Sequence, residues 1–148
     1  MKMPQYVTVE EVRRICKELK IRDWTKLTDP KISPAEGRII LRHLAIKGMK
    51  INVEDFCQGL EVELEHGTRF PDANVTNNHP ILTGKIVIAH FKETLDYYKR
   101  LDVAEIEGDL LKAVVSKKTA KVEALYKKLI KARAQLSKIE SAQTAKLK

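Results

Sequence analysis

The sequence has little of what several common protein classes require. Of its 148 residues only two are Cys and one is Trp, and aromatic side chains make up 5%. Two cysteines cannot build a disulfide framework. Cys16 and Cys57 each fall on the apolar face of a predicted helix and read as buried free thiols. No apolar run exceeds about four residues, as in Ile86-Val87-Ile88-Ala89, against the ~20 that span a bilayer, so no membrane segment is expected. The N-terminal Met-Lys-Met-Pro-Gln-Tyr lacks the apolar stretch of a signal peptide, which predicts a protein that is not secreted. Without secretion, the glycosylation pattern at Asn74-Val75-Thr76 is expected to be chance. Strand signals are weak. A Gly-x-Ser-x-Gly elbow, a phosphate-cradling glycine loop and a His-Glu-x-x-His motif are all missing, and Thr83-Gly84-Lys85 is only a fragment of a phosphate loop.

Charge is plentiful but uneven. Lys and Arg number 28 against 20 Asp and Glu, a net of +8. Residues 1–108 hold 17 of each sign, whereas residues 109–148 hold 11 basic and 3 acidic, so the whole excess lies in the last 40 residues. That last stretch contains no Gly and no Pro. The division predicts a neutral helical domain over 1–108 and a basic C-terminal helix over 109–148.

Helix signals set out the rest. Thr8 and Glu11 read as a capping box before Val12, Ile15, Cys16 and Leu19, predicting a helix over 9–20. Trp24 is expected to plug the edge of the core from the connector. Ser33, Pro34 and Glu36 start a second helix, ended near Lys47 by Gly48. Asn52 caps a third, whose stripe is Val53, Phe56, Cys57, Leu60 and Leu64 and which Gly67 closes. Residues 68–80 form a polar loop, and a fourth helix runs from Ile81 to Leu101. A final helix, continuous with the fourth through a bend at Gly108, reaches towards Lys148. The fold class is all-α: a small bundle of about four helices with a long basic C-terminal helix.

The chemistry-bearing residues cluster in 53–101. On the fourth helix the inward stripe is Thr83, Ile86, Val87, His90, Thr94, Tyr97 and Leu101, which puts His90 in its middle. A buried imidazole needs a partner, since an unpaired polar group costs ~1–3 kcal/mol. One reading is a structural polar network of Glu65, His66, Thr83, His90 and Tyr97 that locks the helices and pins the loop. The other is a divalent-metal or acid/base site from Glu61, Glu65, His66, His90 and Glu93. Di-metal helical sites use Glu-x-x-His on two helices, whereas this chain offers the reversed His90-x-x-Glu93 and the adjacent Glu65-His66. Tyr97-Tyr98 reads as core and interface rather than as a base-stacking platform.

These same residues carry a resemblance. Gly59 to Gly67 (Gly-Leu-Glu-Val-Glu-Leu-Glu-His-Gly), then Asn74-Val75-Thr76-Asn77, Thr83-Gly84-Lys85-Ile86, Ala89-His90 and Asp96-Tyr97-Tyr98 with Arg100-Leu101 resemble a small uncharacterised family. It is a domain of unknown function met in bacteria, archaea and phages or viruses, and the likeness spans 53–101. The resemblance implies an all-helical module without an assigned activity. The family pattern more often has Asp where this chain has Asn78-His79 before Pro80, which argues against a cation there.

The C-terminal stretch carries a heptad seam of Val115, Val122, Leu125, Leu129, Ala132, Leu136 and Ile139, interrupted by Lys118 and ended by Gln143 and Lys146. Forty helical residues would extend ~60 Å, so the seam needs another helix from the bundle, from a second copy or from a protein partner. Beside it Lys117, Lys121, Lys127, Lys128, Lys131, Lys138 and Lys146 fall within about 120° of one another. Such a stripe is a solvated face, or it docks on an acidic surface or on nucleic-acid phosphate. The leading expectation is a non-enzymatic structural or accessory protein of a larger assembly, cytoplasmic or virion-associated, that needs no cofactor. Its rivals are a metal or acid/base enzyme around His66 and His90, and a non-specific nucleic-acid binder.

Overall fold

The computed structural model describes residues 7–145. Lys146 and the predicted approach to Lys148 lie outside the described residues. Among those described there are six α-helices, α1 (Val9–Leu19), α2 (Pro34–Leu44), α3 (Val53–Arg69), α4 (Pro80–Glu93), α5 (Tyr97–Val115) and α6 (Thr119–Thr144), and no strand. The all-α class is therefore correct, with six helices where about four and a C-terminal one were expected. Single 3-10 turns at Trp24–Lys26 and Pro71–Ala73 punctuate two connectors. The chain divides into two compact units between Glu93 and Thr94, and α5 continues through Gly108.

The first unit packs α1 to α4 around Val12, Trp24, Ile40, Phe56, Leu60, Leu64 and Val87. Trp24 is fully buried, as its place in the connector predicts. Its neighbour is Glu36, a buried carboxylate with five donors. It accepts from Arg22 Nε at 2.9 Å and Nη2 at 3.0 Å, Ser33 N at 3.2 Å and Oγ at 3.0 Å, and Trp24 Nε1 at 3.4 Å. Two of those bonds, with Glu36 N on Ser33 Oγ at 3.2 Å, complete the capping box of α2. At Thr8 only half a box forms. Its Oγ1 accepts from Glu11 N at 3.2 Å, but the Glu11 carboxylate turns to Arg14 at 2.7 Å.

Gly84 explains the phosphate-loop fragment in structural terms. A Cβ there would lie 2.9 Å from Leu44 Cδ1 and 3.1 Å from Ile40 Cγ2, so the glycine lets α4 cross closely over α2.

Three helix ends depart from expectation. The second helix stops at Leu44, not Lys47, because Ala45 turns left-handed at φ 48°, and Gly48 lies in the turn beyond at φ 81°. α3 runs past Gly67 to Arg69. The predicted helix over 81–101 breaks at 94–96, where the Thr94 hydroxyl bonds the Asp96 carboxylate and the Asp96 carbonyl accepts from Lys99 N and Arg100 N. Short polar side chains offer the backbone such local alternatives to a continuing helix. Arg100 then holds both Asp96 oxygens, at 3.1 and 2.8 Å.

The second unit is a helical hairpin. Lys117, at φ 54°, is the left-handed residue of a Schellman turn, with Lys118 N on Ala113 O at 3.0 Å and Lys117 N on Val114 O at 2.9 Å. The C-terminal helix is therefore folded back, and its seam is covered by α5 of the same chain. Leu125, Leu129 and Ala132 are buried and Val122, Leu136 and Ile139 half-buried. Val115 is the exception. It belongs to α5 and is 75% exposed. Ion pairs fix the register of the two helices: Arg100 with Glu140 at 2.8 Å and Glu107 with Arg133.

Replacing Glu36 by Ala strands the Arg22 and Trp24 donors and removes the cap of α2. It is expected to cost about 2–4 kcal/mol in urea unfolding. Burial alone would raise the Glu36 carboxyl, but Arg22 and Ser33 together hold it below the usual glutamate range. The contribution is therefore complete above about pH 4.5 and is lost as pH falls through the lowered value.

Candidate functional site

Part of the family-like pattern, from Glu63 to Ile86, meets at one place in the first unit, while Asp96 to Leu101 belong to the second. The C-terminal half of α3, the 70–79 connector and the start of α4 enclose a cavity of about 160 Å³. Glu63, His66, Gly67, Asn74, Thr76, Thr83 and Ile86 line it. Gly67 is the hinge of this arrangement. A Cβ there would run into Asn78 Oδ1 and lie 2.8 Å from Asn74 Nδ2, so the glycine makes room for these two amides against α3. Asn74 Nδ2 donates to Asn78 Oδ1 at 3.0 Å and to Gly67 O at 3.4 Å. That amide is engaged within the fold.

The candidate site residues do not assemble as expected. Glu61 turns away from the cavity to Lys31 Nζ at 2.9 Å and Ile32 N at 3.0 Å. Glu65 pairs with Arg69 one turn on. His66 is exposed on the cavity wall, and Thr83 is buried. His90 Nε2 lies 3.6 Å from Glu63 Oε1, and its Nδ1 lies 3.8 Å from Glu93 Oε1. Its side chain is 26% exposed, at the rim of the apolar stripe rather than in its middle, because α4 ends one turn later. Tyr97 lies beyond the break, in the other unit, edge-on to Tyr98 with ring centres 5.2 Å apart. Within the five-residue metal set, His90 and Glu93 approach within 4 Å, whereas Glu61 and Glu65 are paired with Lys31 and Arg69. Among the described residues no group of three His, Cys, Asp or Glu could hold a metal ion. Of the five-residue polar network, His66 and Thr83 share the cavity wall, while Glu65 and Tyr97 are elsewhere.

The glutamate that faces His90 is Glu63. Its place beside the apolar stripe of α3 was the available signal, one that Glu65 lacks. The Glu63–His90 pair bridges α3 to α4 at the cavity. Cys16 and Cys57 are buried free thiols, both pushed up by burial, as unreactive core cysteines are.

His79, which the family-like pattern more often makes an Asp, has a structural role. It sits before Pro80 at the start of α4, and its Nδ1 accepts from Ile81 N at 3.2 Å and Leu82 N at 3.3 Å. That is the position of an N-cap, where Asp is among the preferred residues. Two amides donating to one ring nitrogen require a neutral imidazole.

On the hairpin, Lys121, Lys127, Lys128, Lys131 and Lys138 are exposed along α6, and Lys117 lies in the turn. Lys127 pairs with Glu123 at 2.6 Å. Lys128 and Lys131 border a groove of about 270 Å³ that also contains Asp102. The other side of the hairpin is apolar near the turn, with Leu111, Val114, Val115, Tyr126 and Ile130 all more than half exposed.

Two outcomes test the cavity. Gly67→Ala is expected to destabilise the first unit by ~1–3 kcal/mol and to shift the Asn74 and Asn78 side-chain amide resonances, because those two amides must give way to the methyl group. Burial first, and the Arg14 and Lys85 charges after it, lower the His79 pKa from 6.5, with Glu11 opposing. The stabilisation by the neutral cap is therefore complete above pH 6.5 and declines as pH falls towards the lowered value. Thermal unfolding from pH 7.5 to 5 should show that slope, and His79→Asn, which keeps a cap without a titrating ring, should remove its share.

Neither the curated proteins nor the solved structures include a match to this chain. Residues 12–107 do match a family, described as Protein of unknown function (DUF5661). The match takes in all four helices of the first unit and α5 as far as Glu107, well beyond the likeness over 53–101, and it leaves out α6. On that coverage the chain belongs to the DUF5661 family.

Proposed function

We propose that this chain is a non-enzymatic accessory component of a larger assembly, which it joins through the α5–α6 hairpin. The observation that carries the reading is the apolar side of that hairpin. Leu111, Val114, Val115, Tyr126 and Ile130 are all at least half exposed near the turn, and exposed apolar side chains gathered on one element are a feature of interaction sites. The resemblance to a family met in phages and viruses makes a virion- or capsid-associated protein the most concrete form of the proposal. The first unit then serves as a rigid body and the hairpin as the docking element.

The rival readings have narrower support. An acid/base role would fall to Glu63 and His90 beside the cavity, and a polyanion would meet the lysines of α6. Asp102 stands in the same groove as Lys128 and Lys131, which weakens the pull of that side on phosphates.

The test is incorporation. Leu111→Glu with Ile130→Glu is expected to leave circular dichroism and the urea midpoint unchanged. It should reduce the chain found in sedimented particles of the cell or virus that encodes it by about tenfold or more. A double variant that sediments as the native chain does would refute the reading.

A further inference from the structure

The cavity between α3, the 70–79 connector and α4 has a lining that the packing of the first unit does not call for. Glu63 and His66 stand three residues apart on α3, and Thr83 and Ile86 three apart on α4, so each pair shares a helix face. The connector closes the third side with Asn74 and Thr76. It is pinned in place. Asn74 Nδ2 donates to Gly67 O at 3.4 Å and to Asn78 Oδ1 at 3.0 Å, and Asn77 Nδ2 donates to Val7 O ahead of α1. The walls are therefore set before any ligand arrives, as in most small-molecule sites.

Two independent features point to a ligand. The first is Thr83. It is 2% exposed, it lines the cavity, and its hydroxyl bonds to no described residue, so the fold makes no use of that oxygen. A valine of the same shape would fill the position without burying an unmatched polar atom, which is unfavourable. The second is the polarity of the lining. Glu63 brings a carboxylate that is 15% exposed, and no Lys or Arg is among the described lining residues. The Asn74 amide nitrogen is engaged by Gly67 and Asn78, which leaves its Oδ1 beside the Thr76 hydroxyl, at 3.5 Å. The wall is therefore rich in acceptors and carries one negative charge.

We propose that this cavity binds the ammonium head of a small primary amine. An alkylammonium carries three donors, one positive charge and no acceptor, the complement of Glu63, Thr83, Thr76 and Asn74 Oδ1. The methyl groups of Ala73 and Ile86 on the same lining suit its carbon stem. At the ~30 Å³ that a water-sized group takes up in a liquid, a cavity of about 160 Å³ admits roughly five non-hydrogen atoms, the size of a four-carbon amine. An anion would meet the like charge of Glu63, and a metal ion would find no group of three His, Cys, Asp or Glu among the described residues. The site lies wholly in the first unit, so it stands apart from docking through the hairpin.

Amide chemical shifts of the full chain test the site, with n-butylamine as the probe and butyrate and 1-butanol as controls of the same length. In about 0.15 M salt near neutral pH the amine is protonated, and saturable shifts are expected at His66, Gly67, Thr76 and Thr83. A ligand this small binds weakly, with a Kd on the order of 1–10 mM, and the two controls should bind at least about tenfold more weakly. Thr83→Val should weaken the amine about three- to tenfold and leave the urea midpoint unchanged or higher, because the hydroxyl has no partner in the fold. Glu63→Gln should weaken it about tenfold or more and abolish the preference over 1-butanol. The absence of saturable shifts at about 50 mM butylamine would overturn the proposal. So would equal binding of butyrate, or an affinity that Thr83→Val and Glu63→Gln both leave unchanged.

Discussion

The first unit depends on one buried carboxylate. Glu36 receives donors from the connector after α1 (Arg22 and Trp24) and from the cap of α2 (Ser33). A buried charge is tolerated only when its lone pairs are met, and here five donors meet them. The consequence is geometric. With Arg22, Trp24 and Ser33 tied to one group, the connector cannot swing, Trp24 is held in the core, and α2 has a fixed starting point. Gly84 then sets how closely α4 crosses α2, and Gly67 how closely the 70–79 connector lies on α3. The cavity beside Glu63 and His90 follows from those approaches.

The second unit works on a different principle. Two helices can bury only one stripe each against the other, and α6 uses its heptad seam for this. α5 has a further apolar stripe left over, because its sequence keeps residues of small or apolar type on two sides. Charge is sorted in the same way. The lysines of α6 occupy one side of the hairpin, and the ion pairs of Glu107 with Arg133 and Arg100 with Glu140 stand on the other. The net charge of +8 thus describes one side of a hairpin rather than the molecule, which is why it is weak ground for a nucleic-acid role.

Legibility in the sequence followed the reach of each interaction. The starts of α1, α2 and α3 were readable, because a cap is a local arrangement of Thr8, Ser33 or Asn52 with the next three residues. The ends of α2 and α5 were not. They turn at Ala45 and Lys117 in the left-handed region, where glycine would have been the signal. Gly67, which looked like a stop, and Gly108, which looked like a bend, lie inside helices. The turn at Lys117 was missed because no glycine marks it, and the helix over 81–101 was left uncut because its break rests on Thr94 and Asp96. The missed turn also left the seam without its partner. At the site, helical spacing placed Glu63 beside the apolar stripe. Which glutamate meets His90 depended on how α3 and α4 cross, and that crossing is set by Gly84 and the α2 side chains.

By itself the sequence determined the all-α class, the core positions of α1 and α3, the seam on α6 and the uneven placement of charge. Each is a matter of period and local capping, and each acts within a few residues. The tertiary structure alone decided that α6 folds back on α5, that Glu61 and Glu65 find partners away from His90, and that His79 caps α4. It also decided that one seam of α5 stays open. These outcomes depend on which surfaces meet, and residues far apart in sequence compete for the same partner until packing chooses between them.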